Sequence, residues 1–356
     1  MPRSLVLLAL GGTLAASAAA AAPSAATPPL PACNGPHASV LQAAPALPTT
    51  WAQARAAWLD GSRLRWAGAS ADGRYRLVAS RTAQLRLAPG EPVRGADASL
   101  RLVPVAPAPD GDAMRRFSHI AAGATLTLAA PDRARLKALL QGQVLLVRED
   151  AQGRVLDATA LQAAGALDAL YAAAQAVPDL GATPRASATT FRLWAPTAQR
   201  VALCLYRDGT APAQSVHALA RDAASGVWSV RLPGNRSGLT YAYLVDVFVP
   251  GHGVVRNRVT DPYAVSLTTD SARGLVADLA SPALKPAGWD ATPRPERVRA
   301  ATDQVIYELS VRDFSAGDAS VSAPHRGKYL AFTETGSAGM RHLKKLSEAG
   351  VTDIHF

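Results

Sequence analysis

The clearest alternation of side-chain types lies in residues 189–206. Residues 189–194, with the sequence TTFRLW, are rich in β-branched and aromatic side chains, which suit a half-buried pleated surface. Pro196 ends this run because it has no backbone donor. Large aliphatic side chains then occupy every second position of residues 201–206, which is the period of a strand. The pattern predicts two short strands separated by a turn, and a further turn at 207–209.

The same period recurs in shorter runs between residues 51 and 182. Turns rich in glycine and proline separate these runs. Residues 161–175 differ, because their spacing is helical and they contain good helix formers. We therefore predict a helix there, preceded by strands at 75–79, 84–87 and 99–103.

The pattern changes again after residue 300. Residues 304–311, QVIYELSV, have the continuous apolar character of a buried strand. Residues 339–350 place apolar side chains on one helical face, and Gly350 is a suitable helix stop. Residues 351–356 return to a strand pattern. This order predicts a β-α-β unit.

The first 22 residues predict a cleavable secretory signal peptide. A basic start at Arg3 is followed by an apolar stretch at 5–14 and an alanine-rich cleavage region. The apolar stretch is shorter than the roughly 20 residues that a membrane-spanning helix needs. We therefore expect a secreted or periplasmic protein with no membrane span. Lipid anchoring at Cys33 is a weaker alternative, and residues 23–48 are predicted to be a flexible lead-in.

Composition narrows the class of protein. The 356 residues are enough for two or three domains, and 49% hydrophobic residues are enough for real cores. The formal net charge of +10 comes mainly from scattered arginines, without a basic run interleaved with aromatic residues. We therefore expect no nucleic-acid partner.

The two cysteines leave their pairing open. Cys33 lies in the lead-in and Cys204 lies in a predicted strand, and neither has metal-ligand spacing. Cys204 has the character of a small buried apolar residue. Cys33 could be free, could pair with Cys204, or could pair with a cysteine beyond Phe356.

Several motifs, taken in order, resemble those of pullulanases. The run FRLWAPTAQ at 191–199 and TDPYA at 260–264 resemble the isoamylase-type N-terminal module, carbohydrate-binding module family 48 (CBM48). The run AAWLDGSRLRW at 56–66 resembles the second N-terminal domain (N2) of bacterial pullulanases. Residues 304–313 and the loop RGKYLA at 326–331 resemble the start of a family 13 glycoside hydrolase barrel.

This resemblance implies a mainly β fold. Two tandem β-sandwich domains of immunoglobulin-like type would occupy residues 49–183 (N2-type) and 187–290 (CBM48). Residues 300–356 would form the first β-α-β of an incomplete (β/α)8 TIM barrel, whose active site lies at the C-terminal ends of several strands.

The resemblance also implies the function of a starch- or glycogen-debranching enzyme. Such an enzyme hydrolyses α-1,6-glucosidic linkages in pullulan, glycogen or limit dextrin by a retaining mechanism with two carboxylates. The catalytic groups are expected beyond Phe356, so the chain itself is predicted to be inactive. Glu308 and Asp313 are interpreted as structural ion-pair residues. No cofactor is expected, although the rest of the barrel could hold structural calcium.

Two alternatives stay open. A non-catalytic α-glucan-binding or scaffold protein would carry the same sandwiches. An isoamylase-like or branching enzyme of the same clan would share the CBM48 module and the barrel, but these enzymes do not normally carry an N2-type domain.

Tryptophans are the candidate carbohydrate-binding residues, because aromatic faces stack on the apolar faces of glucose rings. The candidates are Trp58, Trp66, Trp194 and Trp228, and core packing is the competing interpretation of all four. The turn after Tyr206 carries no tryptophan, which favours a structural role for the CBM48 module.

Overall fold

The computed structural model describes residues 27–106, 115–294 and 298–356. The chain divides into two compact units, Met1–Leu284 and Lys285–Phe356, called here the sandwich unit and the C-terminal unit. The predicted signal peptide lies outside the described residues. Within the described ranges, no helix is both long enough and apolar enough to cross a membrane.

Strands dominate the described chain. They are β1 Ala38–Ala43, β2 Ala56–Trp58, β3 Arg63–Ala67, β4 Arg74–Ser80, β5 Ala98–Pro104, β6 Gly123–Leu128, β7 Gln143–Glu149, β8 Val155–Thr159, β9 Leu161–Gln162, β10 Gly181–Pro184, β11 Ala188–Trp194, β12 Arg200–Tyr206, β13 Ala213–Ala218, β14 Ala220–Arg221, β15 Val227–Pro233, β16 Thr240–Val249, β17 Gly253–Val259, β18 Gly274–Leu275, β19 Ile306–Glu308 and β20 Asp353–His355.

The helices are few and short. The α-helices are α1 Thr49–Ala52, α2 Arg133–Leu139, α3 Ala164–Leu170, α4 Val311–Ser315 and α5 Ala338–Glu348. Short 3-10 helices lie at Leu30–Asn34, Ala130–Asp132, Ala172–Ala176, Thr269–Ser271, Pro282–Leu284, Trp289–Ala291, Ala301–Asp303 and Tyr329–Thr333. The prediction of a mainly β fold is therefore confirmed.

The first sandwich-type domain is built on one continuous eight-stranded sheet. Its strand order is β8-β7-β4-β5-β6-β3-β2-β9. Alternate side chains of β4 enter different cores, with Leu77 on one face and Val78 on the other. Leu136 of α2 and Ala166 of α3 complete the larger core. Apolar side chains on both faces are thus removed from water, which is the main favourable contribution to folding.

The second domain is a sandwich of two separate sheets. One has the order β1-β17-β16-β12-β13, with β18 paired to β16, and the other has the order β10-β11-β15-β14. Phe191 and Trp228 from the four-stranded sheet meet Leu203 and Tyr241 from the six-stranded sheet in one core. The two strands predicted around Pro196 are β11 and β12. They belong to different sheets, so the turn at 195–197 carries the chain across the sandwich.

The lead-in, predicted to be flexible, is instead attached to the second sandwich over its described part, residues 27–48. Strand β1 pairs antiparallel with β17, and Cys33 forms a disulfide with Cys204 of β12. Cys33 and Tyr206 lie in a small buried cluster on the outer face of the six-stranded sheet, opposite the main core. The Tyr206 hydroxyl donates a hydrogen bond of 2.7 Å to the Cys33 carbonyl. Of the open cysteine pairings, the structure has the internal one.

Two predicted elements of the first domain differ from the structure. Residues 84–87 form no strand, and only an isolated bridge joins Arg86 to Arg94. The predicted helix at 161–175 is divided into strand β9, helix α3 and a 3-10 turn. The pairing of β9 with β2 explains why the helix starts later than predicted, because it takes Leu161 and Gln162 into the sheet.

The C-terminal unit contains the predicted β-α-β order. β19 and β20 pair in parallel, with Tyr307 opposite Ile354, and helix α5 lies between them in sequence. All three residues of β19 are exposed, and α5 has no buried residue. The described residues contain the first β-α-β and no barrel.

Candidate functional site

Two of the candidate tryptophans lie in the core of the first domain. Trp58 on β2 is fully buried, and Trp66 on β3 is 1% exposed. The Trp66 ring packs edge-on against Tyr75, with ring centres 6.1 Å apart, and the Arg55 guanidinium lies 5.3 Å from its centre. A ring enclosed in this way offers no face to a glucose unit. The burial of these two residues corresponds to the core-packing interpretation.

The other two candidates lie on adjacent strands of the second domain. Trp228 is 7% exposed, and its indole N–H donates to the Ala195 carbonyl at 2.9 Å. Trp194 is half-buried and donates to the Ser225 carbonyl at 3.0 Å. Because these N–H groups are used internally, the indoles are fixed to the sandwich. Among the four candidates, Trp194 is the one that is not buried.

The turns beside this sandwich are built for local stability. In the turn after Tyr206, the Asp208 carboxylate accepts hydrogen bonds from the backbone N–H groups of Thr210 at 2.9 Å and Ala211 at 2.7 Å. These bonds hold the pKa of Asp208 well below its ordinary value. The turn contains no aromatic side chain that could stack on a sugar.

Phe248, near the end of strand β16, faces an apolar groove between the two sandwich domains. The groove has a volume of about 260 Å³, and its walls include Leu47, Val144 and Pro250. Gln143 also lines it, but the Gln143 amide oxygen already accepts a hydrogen bond from the Leu85 backbone. Because a sugar needs polar partners as well as an aromatic face, this groove is a poor glucan site.

The TDPYA motif has a structural role in the second core. The Tyr241 hydroxyl and the Tyr263 backbone N–H each donate 2.8 Å hydrogen bonds to the Asp261 carboxylate. Burial raises the pKa of Asp261 above its ordinary value and raises the pKa of Tyr243. The motif therefore ties the segment after β17 to strand β16.

The carboxylates near the first barrel-like strand are engaged by basic neighbours. Glu308 lies 3.6 Å from the His355 ring nitrogen, and Asp313 lies 2.9 Å from Arg312. Both carboxylates are exposed, at 78% and 64% of their side-chain surface. Nothing in these surroundings gives either one the enclosed environment that a general acid needs.

Metal binding finds no support in residues 27–106, 115–294 and 298–356. They contain no group of three or more His, Cys, Asp or Glu side chains that could hold a metal ion. His217 is instead bonded to the Ser215 hydroxyl at 2.9 Å, and burial lowers its pKa.

A network of glutamines joins the two sandwich domains. Gln199 in the second domain donates through its amide to the carbonyls of Arg81 at 2.7 Å and Gln141 at 2.9 Å. Gln141 in the first domain donates in return to the Ala198 carbonyl at 3.0 Å. These reciprocal hydrogen bonds to backbone atoms connect the two sandwich domains. Isolated glutamines carry no sequence pattern, so this joint could not be predicted from the sequence.

Comparison with known proteins matches this architecture domain by domain. The pullulanase N2 domain matches residues 53–169, and carbohydrate-binding module 48, the isoamylase N-terminal domain, matches residues 179–264. A pullulanase from Klebsiella pneumoniae is 38% identical over 307 residues, which cover 85% of this chain and 28% of that protein. The chain belongs to the pullulanase family.

Other pullulanases agree over the same region. Pullulanase 1, chloroplastic, from Arabidopsis thaliana is 33% identical and is matched over 85% of this chain and 31% of its own length. The crystal structure of apo pullulanase from Klebsiella pneumoniae superimposes with a TM-score of 0.72 at 36% identity, over 85% of this chain and 32% of that one. The same enzyme complexed with maltotriose also gives 0.72, over 85% of this chain and 28% of that one. The chain thus spans about a third or less of the length of these pullulanases.

Proposed function

We propose that this chain is the non-catalytic N-terminal platform of an exported debranching enzyme that hydrolyses α-1,6-glucosidic linkages. The observation that carries the proposal is the order of an N2-type sheet, a CBM48 sandwich and a parallel β-α-β pair in a member of the pullulanase family. Hydrolysis would follow the retaining mechanism, with two carboxylates about 5–5.5 Å apart. These carboxylates would come from barrel strands beyond Phe356.

The role of the platform is to support the catalytic barrel. Three features favour this role over direct substrate binding: the glutamine joint, the buried tryptophans and the disulfide-bound lead-in. Branched α-glucan is the proposed substrate of the whole enzyme. The second sandwich alone would bind glucan weakly or not at all, since one of its two candidate tryptophans, Trp228, is buried and the other, Trp194, is half-buried.

The Cys33–Cys204 disulfide supports the proposal of export. Disulfides form and persist in oxidising compartments and are rare in the cytosol of most organisms. Together with the predicted signal peptide, this bond favours a periplasmic or secreted location.

The test of function compares the full-length gene product with the 356-residue chain on pullulan. We expect the full-length protein to release reducing sugar and the chain to release no more than a mock purification. Release by the chain alone would contradict the proposal that the catalytic groups lie outside these 356 residues. A full-length product without α-1,6 activity would contradict the enzyme proposal and favour a scaffold.

The test of glucan binding is electrophoresis of the 356-residue chain in gels that contain soluble starch. We expect no more than slight retardation, and the same mobility for the Trp194→Ala variant. Strong retardation that Trp194→Ala abolishes without unfolding the protein would contradict the structural role of this sandwich.

A further inference from the structure

A small concave site lies on the outer face of the six-stranded sheet, beside the Cys33–Cys204 disulfide. Its volume is about 320 Å³. The residues that line it are Cys33, Asn34, Thr210, Ala211, Pro212, Arg258 and Arg273. The two charged side chains in this lining, Arg258 and Arg273, are both arginines, and the lining contains no carboxylate.

Arg273 is held in place by neutral groups. Its guanidinium carbon lies 3.6 Å from the centre of the Tyr206 ring, and its Nη1 donates to the carbonyls of Asp208 at 2.7 Å and Ala211 at 2.8 Å. These contacts orient the guanidinium group but supply no opposite charge. Burial and the positive charge of Arg258 both lower the pKa of Arg273.

Arg258 is incompletely satisfied. Its backbone N–H donates to the His37 carbonyl of the lead-in at 2.7 Å, which fixes the end of β17. Its side-chain Nε is buried and has no hydrogen-bond partner. A buried charged donor without a partner is costly. An anion beside the part of Arg258 that lines the concavity would compensate some of this charge.

The neighbouring Asp208 carboxylate forms no ion pair with either arginine. The Asp208 carboxylate accepts hydrogen bonds from the backbone of its own turn and lies 3.2 Å from Arg207. In the part of the chain that the structure describes, neither Arg258 nor Arg273 forms an ion pair with a carboxylate. Two guanidinium groups thus share one concavity without an ion pair, and the Asp208 charge opposes the lowering of the Arg273 pKa only in part.

We propose that this arginine site binds a phosphate group. Guanidinium groups present rigid forks of N–H donors that match the oxygens of phosphate. Asn34 adds a further donor, because its side-chain oxygen already accepts from the Ala213 N–H at 2.9 Å and its amide nitrogen is left for a ligand. Phosphate is favoured over a carboxylate because its greater charge and larger number of oxygens engage both arginines at once.

The experiment is isothermal titration of the oxidised 356-residue chain with inorganic phosphate and, separately, with glucose 6-phosphate. Sodium chloride keeps the ionic strength constant, because screening alone changes the affinity of charged groups. We expect saturable binding of at least one probe, and a loss of about tenfold or more in affinity for Arg258→Gln. Arg258→Lys keeps the charge but loses the forked N–H donors. Its affinity should lie between that of the wild type and that of Arg258→Gln.

Arg231→Gln is the matched control. Arg231 is an exposed arginine on β15 of the other sheet, so its replacement removes the same charge at a distance from the site. We expect its affinity to equal that of the wild type. Near-ultraviolet circular dichroism verifies that each variant is folded.

The two probes distinguish the source of the phosphate group. Binding of inorganic phosphate alone supports a site closed to esters, and binding of both supports a site open to a sugar phosphate. The proposal is overturned if neither probe binds, or if Arg231→Gln weakens binding as much as Arg258→Gln. If Arg258→Gln is unfolded, the test uses the phosphate affinity of Arg258→Lys instead. An affinity equal to that of the wild type then overturns the proposal.

Discussion

The sandwich unit and the C-terminal unit have similarly clear local patterns but very different burial. The hydrophobic clusters described above, which contain residues such as Trp58, Phe191 and Cys33, all belong to the sandwich unit. In the C-terminal unit, Ile306 of β19 is 60% exposed and Tyr329 is 70% exposed. A periodic pattern therefore specifies an element, whereas the burial of that element depends on the other elements that pack against it.

Helix α5 illustrates how far local signals reach. The Ser337 hydroxyl accepts a hydrogen bond from the Met340 N–H at 3.3 Å and caps the first turn. Gly350, with a φ of +104°, follows the last turn and tolerates this left-handed conformation. The helix is thus delimited by its own sequence, although no residue of it is buried.

Limited proteolysis should give the largest difference between the two units. We expect cleavage of the folded chain first between about residues 293 and 339, because exposed, weakly packed segments open at low free-energy cost. Mass spectrometry should then find a resistant product that retains the sandwich domains. It should also include the lead-in, provided that the Cys33–Cys204 bond is intact.

The control is the same digestion after reduction of the disulfide. Reduction should release the lead-in without changing the first cleavage sites. If the C-terminal unit instead survives as long as the sandwich domains, its exposed elements are more stable than their burial indicates.

Replacement of one tryptophan in each unit should lower the free energy of unfolding by amounts that differ by several kcal/mol. Trp58→Ala removes a fully buried ring and should lower the free energy of unfolding by about 3–5 kcal/mol. Trp289→Ala, in the C-terminal unit, removes a ring that is 61% exposed and should change it by less than about 0.5 kcal/mol. Urea denaturation followed by far-ultraviolet circular dichroism measures both. Equal effects would contradict the assignment of Trp58 to the core.

Removal of the disulfide tests whether the lead-in belongs to the sandwich unit. The double variant Cys33→Ala, Cys204→Ala should lose about 2–4 kcal/mol of stability, because the bond constrains an unfolded loop with a sequence separation of 171 residues. The C-terminal unit should be unaffected. A variant as stable as the wild type would mean that the pairing of β1 with β17 suffices to hold the lead-in.

The smallest effects should appear in the pH dependence of the free energy of unfolding of each unit. Burial raises the folded-state pKa of Asp261, so its contribution to stability is complete below about pH 4 and is lost as the pH rises through the folded pKa. Asp261→Asn should remove this slope, which is at most about 1.4 kcal/mol per pH unit. Urea denaturation between about pH 4 and pH 7 is the measurement.

Asp318 in the C-terminal unit gives the opposite sign. Hydrogen bonds from Ser320 hold the pKa of Asp318 below its ordinary value, so its contribution is present above that value and is lost as the pH falls. Asp318→Asn should therefore change the free energy of unfolding of the C-terminal unit only at acid pH.

The buried environment assigned to Asp261 would be contradicted if Asp261→Asn left the pH dependence of the free energy of unfolding unchanged.

Sequence reasoning identified the elements whose signals are local. The alternation around Phe191 and Val201 predicted β11 and β12, and the capped apolar face predicted α5. The family resemblance added the order of the domains, although their predicted boundaries stay predictions. The assignment of β11 and β12 to different sheets required the structure, because period alone does not select a pairing partner.

What sequence reasoning missed depends on distant contacts. Residues 38–43 are rich in small and polar side chains, and they form β1 only because β17 offers them a free edge. Residues 84–87 have a strand-like composition, but the Gln143 side chain takes the Leu85 N–H that a neighbouring strand would use. The unpaired arginines of the phosphate site come together from positions with no shared motif.

The pairing of β1 with β17 has a consequence for the order in which the protein is made. The first strand of the second sandwich leaves the ribosome before any residue of the first domain, and its disulfide partner follows 171 residues later. In sequence, the N2-type domain therefore lies between β1 and the other strands of the second sandwich. It can finish folding before β1 pairs with β17. Any excised module that starts near residue 179 would lack its edge strand, and a version that adds residues 27–48 through a linker after the last residue of the module should restore it.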